Sequence, residues 1–100
     1  MDFNLDYEEE TGKTIDLSIK TLGRRNENLT ISVEENVEEL VKMIGDMNGI
    51  TYKMIILIYE GNRVNNEKKI KDCQFVIKNG DEYIQNTKFP LSMVLSLRGR

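Results

Sequence analysis

Residues 37–61 read VEELVKMIGDMNGITYKMIILIYEG, and this stretch decides the fold. Its first half has the period of a helix. Val37, Leu40, Val41 and Ile44 fall at i, i+3, i+4 and i+7, the spacing of a single buried face. Asn36 stands where a cap is expected, and Glu39 three residues on completes the pattern of a capping box. Glu38 and Glu39 also place negative charge at the positive end of the helix dipole. Asn48-Gly49 is a stop, because glycine readily takes the left-handed conformation that closes a helix. The second half has no such period. Met54 through Tyr59 is an unbroken apolar run, short and rich in β-branched side chains, and it predicts a strand. Glu60-Gly61-Asn62-Arg63 is then a turn, and Val64 begins a short edge segment.

Outward from this stretch the pattern is mostly β. Ile15, Leu17 and Ile19 alternate with Asp16, Ser18 and Lys20, the signature of a half-buried strand. Leu29, Ile31 and Val33 alternate with Thr30 and Ser32, and the turn Gly23 to Glu27 joins the two runs into a hairpin. Ile70 to Phe75 reads as a turn or short helical piece. CQFVIK and DEYIQN flank Asn79-Gly80, a strong hairpin signal. Pro90 separates this segment from Leu91 to Leu97, an alternating final strand.

The chain therefore divides into an acidic, flexible extension (1–13), a domain (14–97) interrupted by an insertion (76–90), and a tail (98–100). The fold class is α+β, the expectation being a mixed sheet of four or five strands with one main helix packed on one face, plus a hairpin insertion before the last strand.

Composition narrows the function. The formal net charge of −3 argues against nucleic acid, whose binders carry a basic face. No apolar run approaches the roughly 20 residues of a membrane span. The opening MDFNLDYEEE is acidic, unlike the leading segment of a signal peptide. Cytoplasmic residence is expected, with the nucleus as the other option, and the single cysteine suits a reducing compartment. With no histidine and one cysteine, neither the usual zinc sites nor a thiol nucleophile with its general base can be assembled. No phosphate-binding glycine loop occurs. A non-enzymatic monomer without cofactor or metal is expected. Cys73 reads as a small filler, Lys68, Lys69 and Lys71 as a solvated face, and Met43 and Met47 as core rim.

One helix covers only one face of a sheet, so apolar residues aimed at the other face have no core to enter. If Leu57 and Tyr59 point inward, Ile56 and Ile58 point outward. If Leu91, Met93 and Leu95 point inward, Val94 is the apolar residue among the outward set. Leu22 closes the first strand on the outward side. Leu22, Ile56, Ile58 and Val94 then form one apolar patch, the usual mark of a protein-binding site. The insertion either leaves this patch open or folds over it.

These elements resemble the ubiquitin-like (β-grasp) family. LSIKTL (17–22) resembles its first strand and turn, Val37 to Gly49-Ile50 its helix, LIYEG (57–61) its third strand, Ile70-Lys71-Asp72 the approach to the last strand, and VLSLRGR (94–100) its end. Apolar residues from Leu17 through Ile44, Ile50, Leu57, Tyr59, Val64, Ile70, Phe75, Leu91 and Met93 fall where the family places its core. The resemblance implies that Leu22, Ile58 and Val94 are the residues by which ubiquitin and many relatives engage receptors. It also marks departures. Ser92 stands in place of a His, Ile56 and Ser96 in place of Arg, Asn62 in place of the Lys most used for chain linkage, and Arg100 in place of the terminal Gly.

The resemblance implies an interaction module that binds protein receptors of the ubiquitin–proteasome system through the open sheet face. One alternative is a conjugated modifier, with Arg98 and Gly99 as its tail once processing exposes Gly99. The other is a structural domain with a fixed partner.

Overall fold

The computed structural model describes residues 12–96. The first eleven residues of the acidic extension and the tail, Arg98 and Gly99 included, lie outside this range.

Strand β1 (Thr14–Lys20) buries Ile15, Leu17 and Ile19 and exposes the polar residues between them. It pairs antiparallel with β2 (Asn26–Ser32), setting Ile15 against Ile31 and Leu17 against Leu29. The pairing reaches back one residue past the expected domain boundary, since the Val33 N–H donates to the Lys13 carbonyl at 3.1 Å. The connection is a tight 3-10 turn, Leu22–Arg24, shorter than the expected Gly23 to Glu27. Gly23 makes this possible with φ 74°.

Helix α1 (Val37–Asn48) buries Val37, Leu40, Val41 and Ile44, and ends on Gly49 at φ 69°. Its start differs from expectation. The Asn36 side chain makes no capping bond. Backbone carbonyls of a loop further along the chain serve instead: Val37 N–H donates to Lys68 O (2.9 Å) and Glu38 N–H to Asn66 O (3.0 Å). A tertiary cap of this kind meets the same unsatisfied donors, but its partners lie some thirty residues away and leave no local signature. Met43 packs on the core as expected, whereas Met47 is 48% exposed.

A 3-10 turn (Tyr52–Met54) removes Met54 from the apolar run, so β3 is Ile55–Tyr59. The two-residue turn Glu60-Gly61, with φ of 56° and 76°, leads into β4 (Asn62–Arg63). Positive φ at both positions matches the twist of a hairpin. A 3-10 turn (Ile70–Asp72) follows, with Ile70 fully buried.

The insertion forms its own two-stranded sheet, β5 (Val76–Asn79) and β6 (Glu82–Gln85). Its turn is Gly80-Asp81, one residue later than the Asn79-Gly80 motif suggests. Asn79 pairs with Glu82 inside the ladder, and Gly80, at φ 66°, takes the first turn position. The chain closes with β7 (Leu91–Leu95), parallel to β1 and antiparallel to β3. The main sheet is thus mixed and five-stranded, in the order β2-β1-β7-β3-β4.

The core lies between this sheet and α1. Ile50 and Val64 pack against it half-buried, while the other core positions expected from the sequence are buried. Tyr59 fastens the insertion's return leg. Its ring meets Phe75 and Phe89 edge-on, at 6.0 and 5.8 Å, and its hydroxyl donates to Asn86 O at 3.0 Å. Cys73 is buried, its thiol 3.3 Å from the Lys69 carbonyl. Lys68 and Lys69 are exposed as expected and Lys71 is half-buried, and Lys69 and Lys71 both clasp Glu34, at 3.0 and 2.8 Å. That pair of ammonium groups holds the Glu34 carboxyl below its ordinary value.

Candidate protein-docking face

Alternation dictates which side chains reach the open face. Ile55, Leu57 and Tyr59 are buried against the helix side, so Ile56 and Ile58 emerge on the other, each half-buried. Leu91 and Met93 are likewise buried, and Val94 emerges 44% exposed. Ile56 and Val94 are direct cross-strand partners, as are Ile58 and Ser92. Such neighbours place their side chains in contact range on one face.

Leu22 stands in the turn after β1 and is also 44% exposed. The turn is held by Thr21, a buried polar residue. Its N–H donates to the Arg25 carbonyl at 2.7 Å, and its hydroxyl to the same oxygen at 3.2 Å.

The insertion does not cover the patch. The hairpin lies beside β1, where the Gln85 side-chain amide accepts from the Ser18 N–H at 2.8 Å and donates to the Ser18 carbonyl at 3.1 Å. The structure thus sets Ile56, Ile58 and Val94 on adjoining strands and leaves Leu22 exposed at the end of β1.

What sequence reasoning left out is the rim. Pairing across the sheet aligns one row through all five strands: Asn26, Lys20, Ser92, Ile58, Arg63. Ile58 therefore has Arg63 on one side and, beyond Ser92, Lys20 on the other. Only the register reveals this, because Lys20 and Arg63 are 43 positions apart in the chain.

Among the described residues no helix is long and apolar enough to cross a membrane. Among them, too, no cluster of three or more His, Cys, Asp or Glu is arranged to hold a metal.

Neither a known sequence family nor a curated protein sequence matches the chain. Its architecture does match a solved structure, a chain from the crystal structure of a pParkin–pUb–UbcH7 complex. The TM-score is 0.64 at 16% identity, over 85% of this chain and 24% of that one. This chain thus spans about a quarter of the length of its structural neighbour. At that identity the likeness speaks to the fold: one helix against a mixed five-stranded sheet, the ubiquitin-like β-grasp.

Proposed function

We propose that the chain is a non-enzymatic interaction module, and that Leu22, Ile56, Ile58 and Val94 dock receptors of ubiquitin-like domains. The observation that carries this reading is the setting of Ile56, Ile58 and Val94 on adjoining strands of the sheet face away from α1, with Leu22 and Val94 each 44% exposed. Apolar residues leave water on binding, and a few well-packed, desolvated anchors carry most of an interface's energy. Lys20 and Arg63 at the rim add a charge preference. The partner presents aliphatic side chains flanked by carboxylates, which steers encounter and excludes basic competitors. The neighbouring structure is a complex that contains pParkin, pUb and UbcH7, which agrees with partners from the ubiquitin system.

Cys73 supports the non-enzymatic part. Burial pushes its thiol up to about 11, so almost none is thiolate at neutral pH, and the thiolate is the nucleophile.

The test uses purified ubiquitin-receptor domains and the variants Leu22→Ala, Ile58→Ala and Val94→Ala. Each variant keeps the wild-type melting transition to within a few degrees and loses receptor binding. Undiminished binding by all three would reject the docking face.

A further inference from the structure

The insertion carries a second apolar surface, with a rim of opposite charge. Ile77 and Ile84 are direct cross-strand partners on β5 and β6, so their side chains lie side by side on one face of the hairpin. They are 40% and 42% exposed. Alternation sends Val76 and Tyr83 to the opposite face, where both pack on the core. The hairpin is thus anchored from behind and presents two isoleucines in front. The fold does not require them there, since a polar pair would satisfy the alternation equally well.

Beside this pair runs a groove of about 450 Å³ between β6 and the first half of β1, whose lining includes Lys13, Thr14, Asp16, Asp81, Glu82 and Ile84. No ladder joins the two strands, which belong to separate sheets. Polar contacts hold them together: Lys13 Nζ to the Asp81 carbonyl at 2.7 Å, and the Gln85 amide to the Ser18 backbone. Three carboxylates, of Asp16, Asp81 and Glu82, border the groove. None of them forms an ion pair with a described residue, in contrast to Glu34 with its two lysines. Among the described residues, Asp16 accepts from the neutral Thr30 hydroxyl, at 2.6 Å.

We propose that this hairpin face and groove dock a basic, extended segment of a partner protein. One aliphatic side chain of that segment rests on Ile77 and Ile84, and lysines or arginines on either side of it reach the Asp16, Asp81 and Glu82 carboxylates. Charge complementarity selects this occupant, because the groove lining sets three carboxylates against the single ammonium of Lys13, and added cations supply the remaining counter-charge. It also separates the site from the Ile58 face, where Lys20 and Arg63 favour an acidic partner, so the two surfaces discriminate by sign. The proposal stands independently of the docking face on the main sheet.

The test is an amide-resolved NMR titration of the full chain with a synthetic peptide of alternating lysine and leucine, against a matched glutamate–leucine peptide. The basic peptide shifts the amides of Thr14, Asp16, Glu82 and Ile84, and the acidic one does not. The double charge reversal Asp81→Lys/Glu82→Lys weakens binding by about tenfold, with a smaller salt dependence. Ile77→Ser/Ile84→Ser weakens it comparably, and Ile58→Ala leaves it intact. Shifts centred on Ile56, Ile58 and Val94, or equal binding after charge reversal, overturn the proposal. Concentration-dependent sedimentation abolished by Ile84→Ser also overturns it, by assigning the face to a second copy of the chain.

Discussion

Strand β3 does opposite work on its two sides. Leu57 and Ile58 are adjacent, both branched and aliphatic, yet Leu57 has no exposed surface and Ile58 is half-exposed beside Arg63. Only the pleat separates them. On the helix side an apolar side chain is enclosed by α1 and by the buried residues of β1 and β7, and it contributes to stability. On the open side the same kind of side chain contributes little to folding and remains available for binding. Hydrophobicity alone does not assign a role here; the presence or absence of a second layer does.

The largest expected effect separates these two residues. Leu57→Ala removes fully enclosed methyl groups and leaves a cavity, costing about 3 kcal/mol. Ile58→Ala removes partly solvated ones and costs about 0.5–1 kcal/mol. Urea unfolding of both variants checks the contrast. Equal losses would mean that the open face is covered in solution, and the comparison between the two sides would break.

The next effect probes how closely the helix side is built. Gly45 sits inside α1, facing the chain as it leaves the helix. A Cβ at this position would lie 2.5 Å from the Ile50 carbonyl oxygen, a backbone atom held by its own connections. The Ile50 N–H, in turn, donates to the Gly45 carbonyl at 2.9 Å. Alanine is ordinarily the better helix former by about 1 kcal/mol. Here the clash reverses that preference, and Gly45→Ala lowers stability by about 2 kcal/mol. An exposed helix position such as Asp46 supplies the control, because Asp46→Ala creates no such contact. A Gly45→Ala protein as stable as the parent would show that the helix side has slack that the close approach denies.

Much of this arrangement was legible in the sequence, for a physical reason. The helix face, the alternating strands and the outward setting of Ile56, Ile58 and Val94 follow from periods of 3.6 and 2, which sequence spacing carries directly. Features made by distant pairing were not legible. The carbonyls of Asn66 and Lys68 cap α1 in place of Asn36, and the side chains of Lys69 and Lys71 close on Glu34, a partner 35 and 37 positions away. The row that brings Lys20 and Arg63 to either side of Ile58 exists only in the register. The turn at Gly80-Asp81 was missed by one residue for a subtler reason. Asn79-Gly80 and Gly80-Asp81 both suit a two-residue hairpin, and the inward packing of Val76 and Tyr83 selects between them.

The smallest effect concerns pH, and it again falls on one side of the molecule. Glu34 lies in the link between β2 and α1, and the clasping lysines belong to the loop that caps the helix. Backbone bonds run alongside this clasp, from Ile70 N–H to Glu35 O at 2.8 Å and from Lys71 N–H to Val33 O at 3.1 Å. Because the lysines hold the Glu34 carboxyl below its ordinary value, the folded state favours the ionised form more than the unfolded chain does. The stabilisation is therefore present in full above the ordinary glutamate range, near pH 4.3, and is lost as pH falls through the lower folded-state value. Solvent reaches the clasp, so the loss is modest. Acid should loosen the helix-capping loop before it reaches β3. Hydrogen exchange at Val37, Glu38, Ile70 and Lys71 then accelerates on acidification, relative to exchange at Leu57 and Met93. Glu34→Gln makes that ratio insensitive to pH over the same range. A ratio that changes with pH equally in both proteins would assign the sensitivity to other groups, and would leave the difference between the two sides of the sheet one of packing alone.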